Sequence, residues 1–415
     1  MTRSRIKKAR LATNLLSWIL LVHAMTPVTG AAYVVNTTVA DMRQPASVSG
    51  NTACPQPTRT DLAISGGVRR QWSTSLGASP ANILTADQTA AGRLAEIETT
   101  ISQAYGVWTG VAGSKLLPAS LAPLARASSP TSCAADGVNS ICFNQNDPAF
   151  TTGVLAFTRV VTADLIGEQA SPGSPAASFP GEILDADIMV RPSDATVRFA
   201  TPAALAANPT AYDLESVLTH EMGHTFGAGH SDVWRAVMFP FVPPAGTFLG
   251  SRPRSGSPDA PLAEDDRAVV RALYPDPADT THAGSISRRV LPANSLALSG
   301  TGATGIFAAH VVAVDAATGA VVAAALSGWS CSAPGPPVFD GSYQIAHLPV
   351  SPGQAYEVYA EPLDGPVAPS DAFESTTLCR NTLTDPGWPA QFACVTPAPV
   401  TNFSTNFSTR IRSGP

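Results

Sequence analysis

The sequence predicts an α+β domain followed by a small all-β sandwich, and three observations lead to this architecture. Helical and strand-like segments mix between residues 64 and 275, whereas short strand-like runs separated by turn residues fill residues 283–365. Apolar residues make up 44% of the 415 residues, which is enough for packed cores. The 37 prolines favour turns and irregular loops over a helical bundle.

The net charge and the distribution of apolar residues each exclude one class of protein. Only 13% of the residues are charged and the formal net charge is −6, so we expect no nucleic-acid partner, which would need a basic surface. Beyond the N-terminal region, no apolar stretch is long enough to span a bilayer, so a polytopic membrane protein is excluded.

Residues 1–31 have the pattern of a signal peptide. A basic start is followed by a mostly apolar run over residues 11–25 and by small residues at 29–32. We therefore expect cleavage near residues 30–32 and a secreted, extracellular protein with no stable membrane insertion. An uncleaved anchor helix is the alternative, although the apolar run is short for a span. Residues 32–63, polar and without periodicity, predict a flexible lead or pro-segment.

The first half of the α+β domain, which covers residues 64–275, predicts one helix and four strands. A short strand is expected within residues 67–76. Residues 89–108 carry apolar side chains three and four positions apart, which indicates an amphipathic helix. The remaining strand-like runs are residues 140–143, residues 153–161 and Ile183–Val190.

Two further helices close this domain. Thr210 and Asp213 resemble a capping box that starts a helix running through Met222. Gly227 ends that helix, because glycine readily adopts the left-handed conformation found beyond helix ends. After a loop rich in Pro, Gly and Ser, residues 262–273 predict the last helix, which ends before Pro275.

The polar segment 276–283 predicts a linker, so we expect the sandwich at residues 283–365 to be separable from the preceding domain. Residues 366–415 form a C-terminal extension that contains cysteines. Export permits disulfides, and Cys133 and Cys142 are close enough in sequence to close a small loop. No Cys-x-x-Cys zinc spacing occurs, and the other pairings stay open. The remaining cysteines are Cys54, Cys331, Cys379 and Cys394.

Residues 219–232 contain the chemistry-bearing motif of the chain. His220 and His224 are one helical turn apart, so both imidazoles project from one helix face and can bind one zinc ion. Gly227 lets the chain turn back, so that His230 supplies a third nitrogen and one coordination position stays open for water. Glu221 lies about 100° around the helix from His220, outside the ligand set but within reach of that water.

This set of residue types predicts hydrolysis by a metal-activated water. Zinc lowers the pKa of water and polarises a scissile carbonyl, and Glu221 acts as the general base that takes the proton of the water and passes it to the leaving amine. The alternative is a helix with incidental histidines. For the other histidines of the mature chain, His282, His310 and His347, surface or core positions are favoured.

The pattern His-Glu-x-x-His-x-x-Gly-x-x-His from His220 to His230 resembles the metzincin zinc endopeptidases, and the following residues resemble their matrixin branch. The resemblance implies a metzincin-like α+β fold, one catalytic zinc ion, and protein or peptide substrates lying extended along the sheet edge. It also implies that Met238, in Val-Met-Phe-Pro, forms a methionine turn beneath the zinc. An ordinary core methionine would differ little from this.

The same resemblance extends to the last helix and to two strands. Of the neighbouring Asp265 and Asp266, it implies that one is buried and hydrogen-bonded near the methionine turn; a solvated helix face is the alternative. The run Gly153-Val-Leu-Ala resembles the substrate-edge strand, and Asp187-Ile188 resembles the next strand.

Two departures from the animal matrixins change what is expected, in the upstream histidines and around Cys54. No histidine lies between residues 32 and 219, so a second zinc ion held by upstream histidines is excluded. Structural calcium stays open, with Asp185, Asp187 or backbone carbonyls as ligands. Cys54, followed by Pro-Gln-Pro, differs from the zinc-capping cysteine of matrixin pro-segments in its flanking residues, and a disulfide partner or a free thiol is the favoured interpretation.

The C-terminal strands resemble a carboxypeptidase-regulatory-like, transthyretin-type sandwich, in the runs that begin at Gly284, Val311, Asp340 and Tyr356. Nothing in residues 284–415 indicates a second active site. The sequence as a whole predicts a secreted zinc endopeptidase. Two alternatives stay open: a binding or adhesion protein on a catalytically inactive metzincin scaffold, and a zinc hydrolase acting on a non-peptide bond.

Overall fold

The structure is a computed structural model of the chain. The predicted signal peptide, Cys54 and the C-terminal extension lie outside the residues that it describes. The described residues are 59, 70–73, 83–116, 125–127, 133–143, 147–148, 150, 154–163, 166–194, 196–231, 233–239, 241–248, 261–292, 294, 304–306, 309–328 and 340–362.

The described part of the chain contains four helices and thirteen strands. The helices are α1 Ala90–Thr109, α2 Pro202–Leu205, α3 Leu214–Thr225 and α4 Glu264–Leu273. The strands of the N-terminal part are β1 Arg70–Ser73, β2 Ile83–Leu84, β3 Ala125–Ala127, β4 Asn139–Phe143, β5 Ala156–Thr162, β6 Ile183–Val190, β7 Phe199–Ala200 and β8 Tyr212–Asp213. The C-terminal strands are β9 Gly284–Arg289, β10 Ala309–Asp315, β11 Val321–Leu326, β12 Ser342–Leu348 and β13 Tyr356–Pro362.

A five-stranded mixed sheet with the order β3-β1-β4-β6-β5 forms one layer of the N-terminal part. Strands β3, β1, β4 and β6 run parallel to one another, whereas β5 runs antiparallel to β6. Strand β5 is therefore an edge strand of the sheet that the described residues form. A second, short parallel sheet has the order β2-β7-β8.

Helix α1 has the amphipathic face that its sequence predicts. Thr89 caps its N-terminus by accepting a hydrogen bond from Gly92 N at 3.0 Å, and Ile97, Ile101 and Trp108 are buried. The indole Nε1 of Trp108 donates to the carbonyl oxygen of Thr219 at 2.7 Å. This buried hydrogen bond joins α1 to α3, the helix that carries the two-histidine motif.

The start of helix α3 differs from the predicted capping box. Asp213, rather than Thr210, is the N-cap, and its carboxylate accepts hydrogen bonds from Ser216 N at 2.7 Å and from Ser216 Oγ at 2.5 Å. The reason is that residues 212–213 first form strand β8, which pairs with β7, so the helix begins only after this pairing ends. Gly227 follows the helix with a φ of +97°, as predicted.

The C-terminal β region, residues 284–362, contains an antiparallel pair β12-β9 and a three-stranded antiparallel sheet β11-β10-β13. Helix α4 packs against β11 and β12. Buried residues of α4, among them Val269 and Leu273, lie in the same apolar core as Val311 and Ile345 of the β region. This packing does not favour the expected separability of the β region from the preceding domain. The domain boundaries and the transthyretin-type topology stay predictions.

The sulfur atoms of Cys133 and Cys142 lie 2.08 Å apart, at a disulfide distance, and this pair closes the small loop that the sequence permits. None of the helices in the described part of the chain combines the length and the apolar character that a membrane span requires.

Asp185 and Asp187 are buried on strand β6, where backbone amides surround their carboxylates. Asp185 accepts hydrogen bonds from Asp136 N and Gly137 N at 2.9 and 2.6 Å, and Asp187 accepts one from Ser140 N at 2.9 Å. Burial, together with the nearby charge of Asp185, raises the pKa of Asp187 to about 8. Calcium ligation by these two residues stays a prediction.

The variant Asp187→Asn tests the buried charge. Because the folded-state pKa lies above the unfolded value near 4, the stability contributed by Asp187 is complete below pH 4 and is lost as the pH rises through 8. We expect Asp187→Asn, which keeps an acceptor for Ser140 N, to gain at least about 1 kcal/mol over wild type at pH 8 and little at pH 4. Urea unfolding at both pH values measures this. A calcium-dependent stabilisation that only wild type shows would contradict it and would favour calcium ligation.

Candidate metal centre and active site

Helix α3 holds His220 and His224 one turn apart, and both side chains are largely buried. The helix ends at Thr225, and the left-handed Gly227 turns the chain back so that His230 joins them. The ring centroids of the three histidines are 4.9 to 5.2 Å apart, and one ligand nitrogen from each lies within 4.8 Å of the other two. Three imidazoles that converge in this way are a donor set suited to zinc.

Two of the imidazoles are oriented by backbone carbonyls. His220 Nδ1 lies 2.7 Å from the oxygen of Val237, and His224 Nδ1 lies 2.8 Å from the oxygen of Ala228. Because a carbonyl only accepts hydrogen bonds, each Nδ1 must carry the proton and donate it. The lone pair of Nε2 is then left for a metal ion, which is the usual arrangement around ligating histidines.

Glu221 is 5% exposed and lies in contact with the edge strand β5. The hydroxyl of Thr158 lies 2.7 Å from Glu221 Oε2 and 3.0 Å from the backbone oxygen of Glu221, so the carboxylate oxygen is its nearer acceptor. Thr158 therefore restrains the carboxylate. Sequence reasoning missed this residue, because it lies 63 positions upstream and only its place in a predicted strand hinted at proximity.

Met238 is buried next to helix α3, and its role as a methionine turn stays a prediction. Its sulfur packs close to Gly223, one residue before His224, and the ring of Trp108 lies near the same position. The oxygen of Met238 accepts a hydrogen bond from Ser231 N at 2.8 Å. This bond ties the turn around Met238 to the residue that follows His230.

Both aspartates of helix α4 are buried, so the interpretation as a solvated helix face is wrong. Asp266 accepts hydrogen bonds from Val237 N at 2.7 Å and from Met238 N at 3.1 Å, which confirms the expected contact with the turn. Asp265 accepts one from Ser231 Oγ at 2.6 Å. Burial raises the pKa of Asp265 to about 8, while the bond from Ser231 opposes that shift.

Within the described residues, His220, His224 and His230 are the group of three or more His, Cys, Asp or Glu side chains whose ligand atoms converge. That group does not include His282, His310, His347, Asp185 or Asp187. The roles of the three histidines, Glu221 and Met238 stay proposals, although the structure brings all five together.

Comparison with known proteins points to the same segment. Residues 175–275 match the matrixin peptidase family. This matrixin-like segment contains the three histidines, Glu221, Met238 and both aspartates of α4. The family match also implies a metzincin-like α+β fold, which agrees with the mixed sheet and the few helices of the structure.

Plant metalloendoproteinases resemble this chain over short stretches. "Metalloendoproteinase 1" of Glycine max is 45% identical over 65 residues, which are 16% of this chain and 18% of that protein. "Metalloendoproteinase 1-MMP" of Arabidopsis thaliana is 38% identical over 99 residues, which are 21% of this chain and 24% of that protein. The chain thus spans about a fifth of the length of these relatives.

The variant Gly223→Ala tests the close approach of α3 to the turn. A Cβ at this position would overlap the sulfur of Met238 and would lie 2.8 Å from the Trp108 ring. Although alanine is the better helix former, we expect a net loss of about 1–3 kcal/mol in unfolding free energy, together with weaker zinc binding.

Gly106→Ala is the matched control, because Gly106 also lies inside a helix and a Cβ there would meet no atom within 4 Å beyond its chain neighbours and the backbone of its own helix. This control should gain about 0.5–1 kcal/mol. Chemical denaturation with and without zinc measures both effects, and equal behaviour of the two variants would contradict the packing argument.

Proposed function

We propose that this chain is a secreted zinc endopeptidase that hydrolyses protein or peptide substrates. The observation that carries the proposal is the convergence of His220, His224 and His230 next to a buried glutamate that is not part of the ligand set. Support comes from the match of residues 175–275 to the matrixin family and from relatives named metalloendoproteinases. Export rests on the signal-peptide pattern of residues 1–31, and a disulfide between Cys133 and Cys142 is consistent with it.

The three histidines would hold a single zinc ion, with His220 and His224 binding through their Nε2 atoms. When bound, zinc polarises the scissile carbonyl and lowers the pKa of water at the site. The carbonyls of Val237 and Ala228 fix the tautomers of His220 and His224, so that no proton competes for the metal-facing nitrogens.

Glu221 is the proposed general base. Its carboxylate takes the proton of the attacking water and gives it to the leaving amine. The hydroxyl of Thr158 donates to Oε2, which limits the rotation of the Glu221 side chain. Such positioning matters, because small displacements of a proton acceptor cost much of its catalytic contribution.

The edge strand β5 supplies the proposed substrate-binding surface. It pairs with β6 on one side only within the described sheet, and it contacts helix α3 near Glu221. An extended peptide that adds to this edge by main-chain hydrogen bonds would bring its backbone carbonyls to the histidine cluster. This geometry favours peptide bonds over other substrates.

Digestion of casein or gelatin with and without a chelator tests the function. We expect degradation that is lost with chelator and restored by stoichiometric zinc, with one zinc ion per chain by elemental analysis. Glu221→Gln keeps the size of the side chain and should keep the metal, while kcat falls about 10²–10⁴-fold.

The outcomes separate the proposal from its alternatives. A zinc-loaded wild-type protein without activity on any protein or peptide would favour an inactive scaffold or a non-peptide hydrolase. Two zinc ions per chain would contradict the single-site assignment. A Glu221→Gln variant that keeps zinc and more than about a tenth of wild-type kcat would exclude Glu221 as the general base.

The variant Thr158→Val tests the restraint on Glu221. Valine has the shape of threonine but lacks the hydroxyl, so Oε2 loses a hydrogen-bond donor. We expect kcat to fall about tenfold, with KM and zinc content close to wild type, because one hydrogen bond to a charged group contributes about 1.5 kcal/mol or more.

Thr158→Ser is the control, since it keeps the hydroxyl and loses only a methyl group. It should retain most of the wild-type kcat. Equal impairment of both variants would mean that Thr158 acts through packing and not through its hydrogen bond.

A further inference from the structure

A side chain of the matrixin-like segment accepts a hydrogen bond from the outer edge of strand β11. Strand β11 lies at one end of the described sheet β11-β10-β13, with Ala324 opposite Val312 of β10. The amide of Ala324 donates to Asp265 Oδ1 at 2.9 Å, in a buried setting. A buried edge amide needs such a partner, because leaving it without an acceptor costs about 1–3 kcal/mol.

The second oxygen of the same carboxylate holds the loop that follows His230. Ser231 Oγ donates to Asp265 Oδ2 at 2.6 Å and accepts a hydrogen bond from Val233 N at 3.1 Å. Ser231 is next in sequence to His230. Asp265 therefore joins strand β11 on one side to Ser231, the residue after the third histidine, on the other, through one hydrogen bond at each oxygen.

Apolar packing follows the same path. Val233 and Ala236 from the loop, and Ala263 from the start of α4, share a small buried cluster with two residues of the β region, Val312 and Ala324. The loop between His230 and Met238 is thus packed directly on strands β10 and β11. Its conformation depends on contacts that the matrixin-like segment does not supply by itself.

We propose that the C-terminal β region is a structural brace of the metal site, and that Asp265 is the positioning residue through which β11 holds the loop carrying His230. The proposal rests on the proposed function only in taking His230 as a metal ligand. Coupling between two sites is reciprocal, so docking of β11 should strengthen zinc binding and zinc should strengthen the docking of β11 by the same factor.

The experiment perturbs the contact from each side in the full chain. Val312→Ala opens a cavity at the shared cluster, and Val358→Ala is its matched control, because Val358 lies in the same sheet but is exposed.

The second pair of variants changes Asp265. Asp265→Leu removes both acceptor oxygens. Asp265→Asn keeps an acceptor for Ala324 N and a donor that Ser231 Oγ can accept from. Zinc affinity is measured by chelator competition, and hydrogen exchange is followed in residues 233–239 and 321–326.

We expect Val312→Ala to speed exchange in residues 233–239 and to weaken zinc binding at least about fivefold, while Val358→Ala changes neither by more than about twofold. Asp265→Leu should weaken zinc binding more than Asp265→Asn. In wild type, zinc should slow exchange in residues 321–326, and this effect should be lost in Asp265→Leu. If Asp265→Leu does not fold, the comparison of Val312→Ala with Val358→Ala tests the proposal by itself.

Two results would overturn the brace: equal behaviour of the two valine variants, or exchange in residues 321–326 that zinc does not change in wild type. Failure of the proposed function looks different. A protein that binds zinc and shows the coupling but cleaves no peptide refutes the peptidase and supports the brace. If wild type binds no zinc, faster exchange in residues 233–239 of Val312→Ala than of Val358→Ala supports the positioning of the loop, and equal exchange refutes it.

Discussion

The close approach of helix α3 to the turn around Met238 is the constraint on which the rest of the site depends. It is permitted by the missing side chain of Gly223, which sits between the two helical histidines. Because the turn can come this close, the carbonyl of Val237 reaches His220 Nδ1, and the chain after Gly227 returns His230 to the same point. A larger residue at position 223 would displace the turn and, with it, both the orientation of one ligand and the placement of another.

Buried carboxylates keep that turn in place. Asp266 accepts hydrogen bonds from two successive amides of the turn, and Asp265 accepts one from Ser231 just after the third histidine. Carboxylates are costly to bury, as the raised pKa of Asp265 shows. They are tolerated here because each has hydrogen-bond donors. The same physical rule operates on β6, where Asp185 and Asp187 are surrounded by backbone amides.

Where the matrixin-like segment packs on the C-terminal β region, each part supplies hydrogen-bond partners and apolar contacts to the other. The edge amide of Ala324 requires an acceptor, and Asp265 requires donors. The apolar side chains of α4 and of the loop before Met238 also require cover, which the β region supplies. The polar linker at residues 276–283 could not predict this packing, because the contacts between the two parts are made by alanines and valines that carry no distinctive sequence pattern.

The sequence by itself determined what depends on local spacing. The positions of His220, Glu221 and His224 on one helix follow from helical periodicity, and the turn at Gly227 follows from glycine's conformational freedom. Helix α1 and strands β4 to β6 were likewise predicted to within a few residues, because their apolar patterns repeat over several positions.

Only the tertiary structure decided the contacts between distant segments. Thr158 meets Glu221 because β5 is the edge strand beside α3, and Asp213 replaces Thr210 as the cap because β8 pairs with β7 first. Asp265 finds Ala324 because α4 packs on the C-terminal sheet. Local spacing cannot encode these partners, since each depends on which surfaces the whole chain buries together, and that choice is a sum of many small packing terms spread over the sequence.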